Sequence, residues 1–144
     1  MIGVVLDTSV LLKWFHSQGE AEVAESRAIR DAHVSEVLEV ITLELSRYEL
    51  GNILIRSLKW NAQATADQLD DLQDICGGGV VPTKAAIHDA AELSASLGLT
   101  FYDSLFAAVA RDLGTPFVSA DRQLLEAGLA VSATDFANEL SNLT

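Results

Sequence analysis

Short apolar runs rich in β-branched residues alternate with longer helical patterns along the whole chain. The runs lie at residues 2–6 (IGVVL), 40–42, 80–82 (VVP), 116–120 (PFVSA) and 129–136 (LAVSATDF). Helical patterns lie at residues 10–15, 20–32, 43–59, 64–75, 84–97, 102–113 and 121–128. Strands separated by helices pair in parallel, with helices on both faces. The order predicts one α/β domain over residues 1–144, a short parallel sheet sandwiched between helices (α/β/α).

Length and composition limit the class of protein further. No apolar run approaches the roughly 20 residues of a membrane helix, and the N-terminus lacks the basic segment of a signal peptide. Cys76 is the single cysteine, which excludes an internal disulfide. The three histidines show no zinc-ligand spacing. We therefore expect a cytoplasmic protein that binds no membrane.

The formal net charge of −12 argues against a nucleic-acid binder, because a negative protein repels phosphate over long distances. One interpretation is a solvated acidic surface. The other is that some carboxylates bind metal ions and are neutralised in the working protein. Four carboxylates bound in this way would offset only a third of the charge.

Two predicted strands are each followed by an aspartate. Asp7 comes directly after residues 2–6, and Asp121 directly after residues 116–120. If these strands are neighbours, both carboxylates reach the same edge of the sheet, where ligands of such folds bind. Helix capping is the alternative for each, as a first-turn position is for Asp103.

Glu49 has no capping role available, because it lies inside the long helix predicted to end near Lys59. That helix is apolar on most of its circumference and is predicted to be well buried. A glutamate there is costly unless it is paired or bound to a metal. Pairing with Arg56, seven residues on, and a position at the rim of the buried surface are the structural alternatives.

Four acids from four elements would repel one another if they gathered without a cation. A hard divalent ion with oxygen ligands, Mg²⁺ or Mn²⁺, removes this difficulty. One or two such ions suit phosphodiester hydrolysis, because they supply the positive charge that the protein lacks. The acids concerned are Asp7, Glu49, Asp103 and Asp121.

Four stretches in order, VLDTSVLL, YELGNIL, TFYDSLFAAVA and FVSADRQLL, resemble the PIN-domain nucleases, and most nearly the small VapC-type toxins. The resemblance covers essentially the whole chain. It implies a PIN-like ribonuclease domain that uses Mg²⁺ or Mn²⁺ to hydrolyse RNA. The family's acids fall on Asp7, Glu49, Asp103 and Asp121, and its small hydroxyl residue falls on Ser119. Thr8 and Asn52 are possible neighbours of the site, with capping of the first helix an equal alternative for Thr8.

The resemblance also implies partners: an RNA substrate, a VapB-like antitoxin that inserts a segment near the acids, and a second copy in a homodimer. A metal-binding module without turnover is the alternative function. Three aromatic residues are candidates for an interface or for the core: Trp14, Phe15 and Trp60. Four basic residues are candidates for phosphate contacts, unless they are solvated or paired: Lys13, Arg56, Arg111 and Arg122. Gly77 to Gly79 is interpreted as a flexible connection.

Overall fold

The structure, a computed structural model, describes residues 1–143. Its three strands form one parallel sheet in the order β2-β1-β3. The strands are β1 (Ile2–Leu6), β2 (Leu38–Ile41) and β3 (Phe117–Val118). The predicted parallel sheet is therefore confirmed, and the strand that precedes Asp7 lies at its centre.

Eight α-helices lie within residues 1–143, and a π-helical turn, Ile53–Ser57, continues the third. Thr83 and Thr100 cap two of them with their hydroxyls, and Gly98 and Gly114 end the same two in the left-handed conformation. Within these residues, every helix is too short or too polar to cross a lipid bilayer. The helices are α1 (Thr8–Phe15), α2 (Val23–Val34), α3 (Glu44–Asn52), α4 (Ala62–Cys76), α5 (Lys84–Leu97), α6 (Phe101–Leu113), α7 (Arg122–Glu126) and α8 (Ala133–Leu143).

Each face of the sheet is covered by its own hydrophobic core, because side chains alternate along a strand. Val4 and Leu6 of β1 pack with residues of α1, α2, α3, α4 and α8. Val5, between them, packs on the opposite face with residues of α5, α6 and α7. This is the three-layer α/β/α arrangement that the alternating pattern predicts.

Two predicted strands are wrong. At residues 80–82 only Val80 pairs, as a single bridge to Leu43, and at residues 129–136 only Val131 pairs, with Val118. The chain then enters α8, whose start the Ser132 hydroxyl caps by accepting from the amide of Asp135. A serine three residues before an acid is a helix-start signal, and it outweighs the short apolar run before it.

The glycine segment before Val80 is packed rather than flexible at its last residue. A Cβ on Gly79 would lie 2.6 Å from the backbone of Leu43 and Glu44, and the φ of Gly79 is +86°. Val80 donates its amide to Thr42 and accepts that of Glu44, at 2.8 and 3.0 Å. The segment therefore holds the first turn of α3 in position.

The aromatic candidates belong to the core. Trp14 is 3% exposed and donates its ring N–H to the carbonyl of Ser26. Phe15 and Trp60 are half-buried and pack against the same core. Helix α3 also differs from its prediction, since it is buried along one side only: Leu50 is inaccessible, whereas Tyr48 is 61% exposed.

Candidate active site

The two strand-end aspartates lie at the same edge of the sheet because β1 and β3 are neighbours. Leu6 pairs with Val118, and the amide of Asp7 donates to the carbonyl of Val118 at 3.4 Å. Asp7 follows β1 directly, and Asp121 follows β3 after two residues. Both therefore lie at the carboxyl edge of the sheet.

Asp7 is the most enclosed of the four acids, at 4% exposure. Its Oδ1 accepts hydrogen bonds from the amide and the hydroxyl of Ser9, at 3.1 and 2.5 Å. Its Oδ2 accepts one from the hydroxyl of Ser119, at 2.5 Å. Asp7 is also the N-cap of α1, so a capping role and a position in the site are compatible.

Asp121 likewise caps a helix, but from a partly exposed position. Its Oδ1 accepts the amides of Gln123 and Leu124, at 2.8 and 3.2 Å, which begins α7. Its own amide donates to the hydroxyl of Ser119 at 2.9 Å. Ser119, predicted beside the site, thus connects the two aspartates directly.

Glu49 reaches the same region from α3. Its Oε1 accepts the hydroxyl of Thr8 at 2.7 Å, and Thr8 is the residue that follows Asp7. Pairing with Arg56 does not occur within residues 1–143, since Arg56 is exposed and takes part in no ion pair there. The capping interpretation of Thr8 is wrong, because Asp7 is the cap.

Asp103 lies in the first turn of α6, as predicted, and is partly exposed. Its amide donates to the capping hydroxyl of Thr100 at 3.0 Å. Asn52 ends α3 and is exposed; among residues 1–143, no hydrogen bond joins it to any of the four carboxyls.

The four carboxyls are electrostatically coupled, because Asp103 interacts with each of the other three. The pKa of Asp7 is raised to about 6, chiefly by burial and to a smaller extent by the charge of Asp103, against hydrogen bonds from Ser119 and Ser9 that lower it. Burial first and the charge of Asp103 also raise the pKa of Glu49. The pKa of Asp103 is raised by burial and by Asp121. Within residues 1–143, no lysine, arginine or histidine forms an ion pair with these acids.

The basic candidates are mostly engaged elsewhere. Lys13 pairs with Glu20 at 3.0 Å. Arg111 pairs with Asp89 at 3.2 Å, and Arg122 pairs with Glu126 at 2.8 Å. Arg56 remains as the candidate without an ion pair in the described part of the chain.

Ser9 is the residue of this site that the sequence interpretation missed. Its hydroxyl donates to Asp7 and accepts the amide of Ala120 at 2.9 Å. The local half of this arrangement has a sequence signal, because an aspartate and a serine two positions apart readily share hydrogen bonds. The contact with Ala120 joins residues 111 apart and has no such signal.

Comparison with known proteins agrees with this architecture. The PIN domain family model matches residues 4–129. The chain belongs to the PIN domain family. The predicted resemblance to the PIN domain family is thereby confirmed.

Two relatives of this PIN domain come from Pyrobaculum aerophilum. Ribonuclease VapC3 is 29% identical over 127 residues, which cover 85% of this chain and 92% of that protein. The crystal structure of PAE2754 matches with a TM-score of 0.70 at 21% identity, over 98% of each chain. At that identity the structural match supports the fold alone.

The donor set of this PIN domain suits a hard divalent cation, since it consists of carboxylate and hydroxyl oxygens with excess negative charge. No three acidic, histidine or cysteine side chains among residues 1–143 stand close enough together to enclose an ion. Mg²⁺ does not require such a cage, because it keeps several waters and binds through one or two carboxylates. The residues present therefore fit this type of ion.

Proposed function

We propose that this PIN domain is a metal-dependent endoribonuclease that hydrolyses RNA phosphodiester bonds, and that it is the toxin of a type II toxin–antitoxin pair. One observation carries the proposal. Carboxyls from four elements are electrostatically coupled, so that neighbouring acids raise the pKa of Asp7, Glu49 and Asp103, and within residues 1–143 none of the four forms an ion pair with a basic side chain. The name of the relative Ribonuclease VapC3 supports the choice of RNA.

In this proposal, Asp7, Glu49, Asp103 and Asp121 hold one or two Mg²⁺ or Mn²⁺ ions. When bound, such ions act as Lewis acids and offset the charge of the phosphate and of the departing oxygen. Asp7 supplies a carboxylate of fixed orientation, because its two oxygens accept hydrogen bonds on both sides. A carboxylate of the four that is free of the ion accepts the proton of the attacking water.

The partly exposed acids face the substrate. Glu49, Asp103 and Asp121 are each partly accessible, whereas Asp7 is enclosed behind them. A phosphodiester approaching this edge therefore meets the accessible acids first. Thr8 orients Glu49 through its hydroxyl, and Ser119 orients Asp7 while it accepts the amide of Asp121. Asn52 lies one helical turn beyond Glu49 and is proposed as a neighbour of the substrate.

The proposal extends to partners. A VapB-like antitoxin segment would cover the acids, and a second copy would complete a homodimer. Co-purification with the product of the adjacent gene, followed by native mass spectrometry, tests both. A monomer that retains no partner would contradict this part of the proposal and leave the nuclease part standing.

Cleavage of single-stranded RNA in Mg²⁺ or Mn²⁺ tests the activity. Asp7→Asn and Asp103→Asn are each expected to reduce the rate by about a hundredfold or more, because a metal contact in the transition state is worth several kcal/mol. Asp135→Asn, in the first turn of α8, is the matched control and should cleave at the parent rate. Full activity in folded Asp7→Asn and Asp103→Asn would reject the assigned site. Metal binding by the parent without cleavage of varied RNAs would favour the binding module.

A further inference from the structure

Two hydroxyl groups hold the Asp7 carboxylate from opposite oxygens. The Ser9 hydroxyl donates to Oδ1 and accepts the amide of Ala120, at 2.5 and 2.9 Å. The Ser119 hydroxyl donates to Oδ2 and accepts the amide of Asp121, also at 2.5 and 2.9 Å. A hydroxyl has one proton to donate, so each serine uses it on the carboxylate and offers its lone pairs to the backbone.

This pair of contacts restricts two motions. The carboxylate cannot rotate about its Cβ–Cγ bond without breaking a hydrogen bond at each oxygen. The backbone of residues 119–121 cannot shift away from α1 without losing the contact between Ala120 and Ser9, which spans 111 positions of the chain. Both the orientation of Asp7 and its spacing to Asp121 therefore depend on Ser9 as well as on Ser119.

We propose that Ser9 is a positioning residue of this site, which holds the Asp7 carboxylate and the 119–121 segment in the arrangement that binds the divalent ion. The inference rests on the proposed function and adds a residue that neither the resemblance nor the sequence pattern assigns. Groups that orient a metal ligand typically contribute a factor of about 10–100 in metal affinity. Ser9 is only partly buried, whereas Ser119 is fully buried, so Ser9 tolerates substitution better.

The experiment compares Ser9→Ala, Ser9→Thr and a control, Ser94→Ala. Ser94 lies on α5, and its hydroxyl donates to the carbonyl of Leu99 at 2.7 Å rather than to any of the four carboxyls. Calorimetric titration with Mn²⁺ gives the affinity of each protein. Amide hydrogen exchange in metal-free buffer, resolved by NMR, gives the protection of Ala120 and Asp121.

Ser9→Ala is expected to bind Mn²⁺ about tenfold more weakly than the parent and to expose the amide of Ala120 to faster exchange. Ser9→Thr, which retains the hydroxyl, should bind within about threefold of the parent. Ser94→Ala should match the parent in both measurements. A purely structural role would lower stability in Ser9→Ala and Ser94→Ala alike and leave Mn²⁺ affinity unchanged.

Unchanged Mn²⁺ affinity in folded Ser9→Ala would overturn the proposal, whatever the exchange result. A parent protein that binds no Mn²⁺ would instead remove the proposed metal-dependent function. In that case the exchange result decides the positioning role by itself. Unaltered exchange at Ala120 in Ser9→Ala would overturn that role. Faster exchange would show that Ser9 still positions the carboxylate and the 119–121 segment.

Discussion

The two ends of the acidic site differ in how they are held. The buried end consists of Asp7, Ser9 and Ser119, and every polar atom of the Asp7 side chain has a partner. The open end consists of Glu49, Asp103 and Asp121, which are partly exposed. The buried end is fixed by the pairing of β1 with β3, whereas Glu49 and Asp103 depend on the placement of α3 and α6. Under the proposed function, the buried end supplies fixed geometry and the open end is accessible to the substrate.

The largest expected effect concerns the placement of α3 and hence of Glu49. Gly79→Ala would drive a Cβ into the backbone of Leu43 and Glu44 at a positive φ, so we expect a loss of about 2–5 kcal/mol in unfolding free energy. Urea denaturation measures it. Gly78→Ala is the control, because a Cβ there meets nothing within 4 Å, and it should be neutral or slightly stabilising. Equal unfolding free energies of the two variants would show that the close packing of Gly79 does not hold α3 in position.

The next largest effect is the pH dependence of stability that Asp7, at the buried end, is expected to cause. The pKa of Asp7 is about 6 in the folded protein, against an ordinary value of 3.8, so above pH 4 the unfolded chain releases this proton first. Stability should therefore fall as pH rises from about 4 to 6 and then level off, by about 3 kcal/mol for this group. In metal-free buffer, the stability of Asp7→Asn relative to the parent should increase by that amount over the same range. A difference that stays constant with pH would contradict the burial of a charged Asp7.

A smaller effect belongs to the open end. Asp103→Asn removes one of the mutually repelling charges, so in chelator we expect a melting temperature equal to or above that of the parent, and a smaller gain when Mn²⁺ is added. Asp135→Asn is the matched control: Asp135 also lies in a helical first turn, so its substitution should lose only the favourable dipole interaction of about 0.3–1 kcal/mol. A loss above about 1 kcal/mol in Asp103→Asn would identify helix stabilisation as its main role.

The smallest effect is expected at Arg56. Arg56→Gln should raise the KM for RNA about threefold and reduce its salt dependence, with stability unchanged, because the side chain is exposed. Arg122→Gln serves as the control, since Arg122 already pairs with Glu126 at 2.8 Å. Equal KM values in the parent and Arg56→Gln would remove Arg56 as a phosphate contact.

The sequence predicted the parts of this molecule that follow from local pattern and from sheet topology. Asp7 and Asp121 could be assigned to one edge because each follows an apolar run, and parallel strands end on the same side. The positions of α5 and α6 followed from their terminal glycines, Gly98 and Gly114. These features depend on residues close together in the chain.

Contacts between distant segments could not be predicted in the same way. Glu49 bonds Thr8 rather than Arg56, because the packing of α1 against α3 decides its partner. The fit of Gly79 against Leu43 likewise depends on where two separate segments meet. The segments around Val80 and Val131 have strand-like sequences. The surrounding fold limits the pairing of Val80 to one residue, and the start of α8 after Ser132 limits that of Val131.

Those single-residue pairings have a consequence for how the protein behaves in concentrated solution. An edge strand with unpaired backbone N–H and C=O groups can pair with strands of other molecules, which leads to aggregation. Here Val80 bonds the chain just beyond β2, Val131 bonds β3, and the ring of His33 accepts the amide of Val40 at 3.0 Å. At each outer edge of the sheet, some of the backbone groups that could pair with another strand are therefore already occupied. Association with other chains is directed to side-chain surfaces rather than to extension of the sheet.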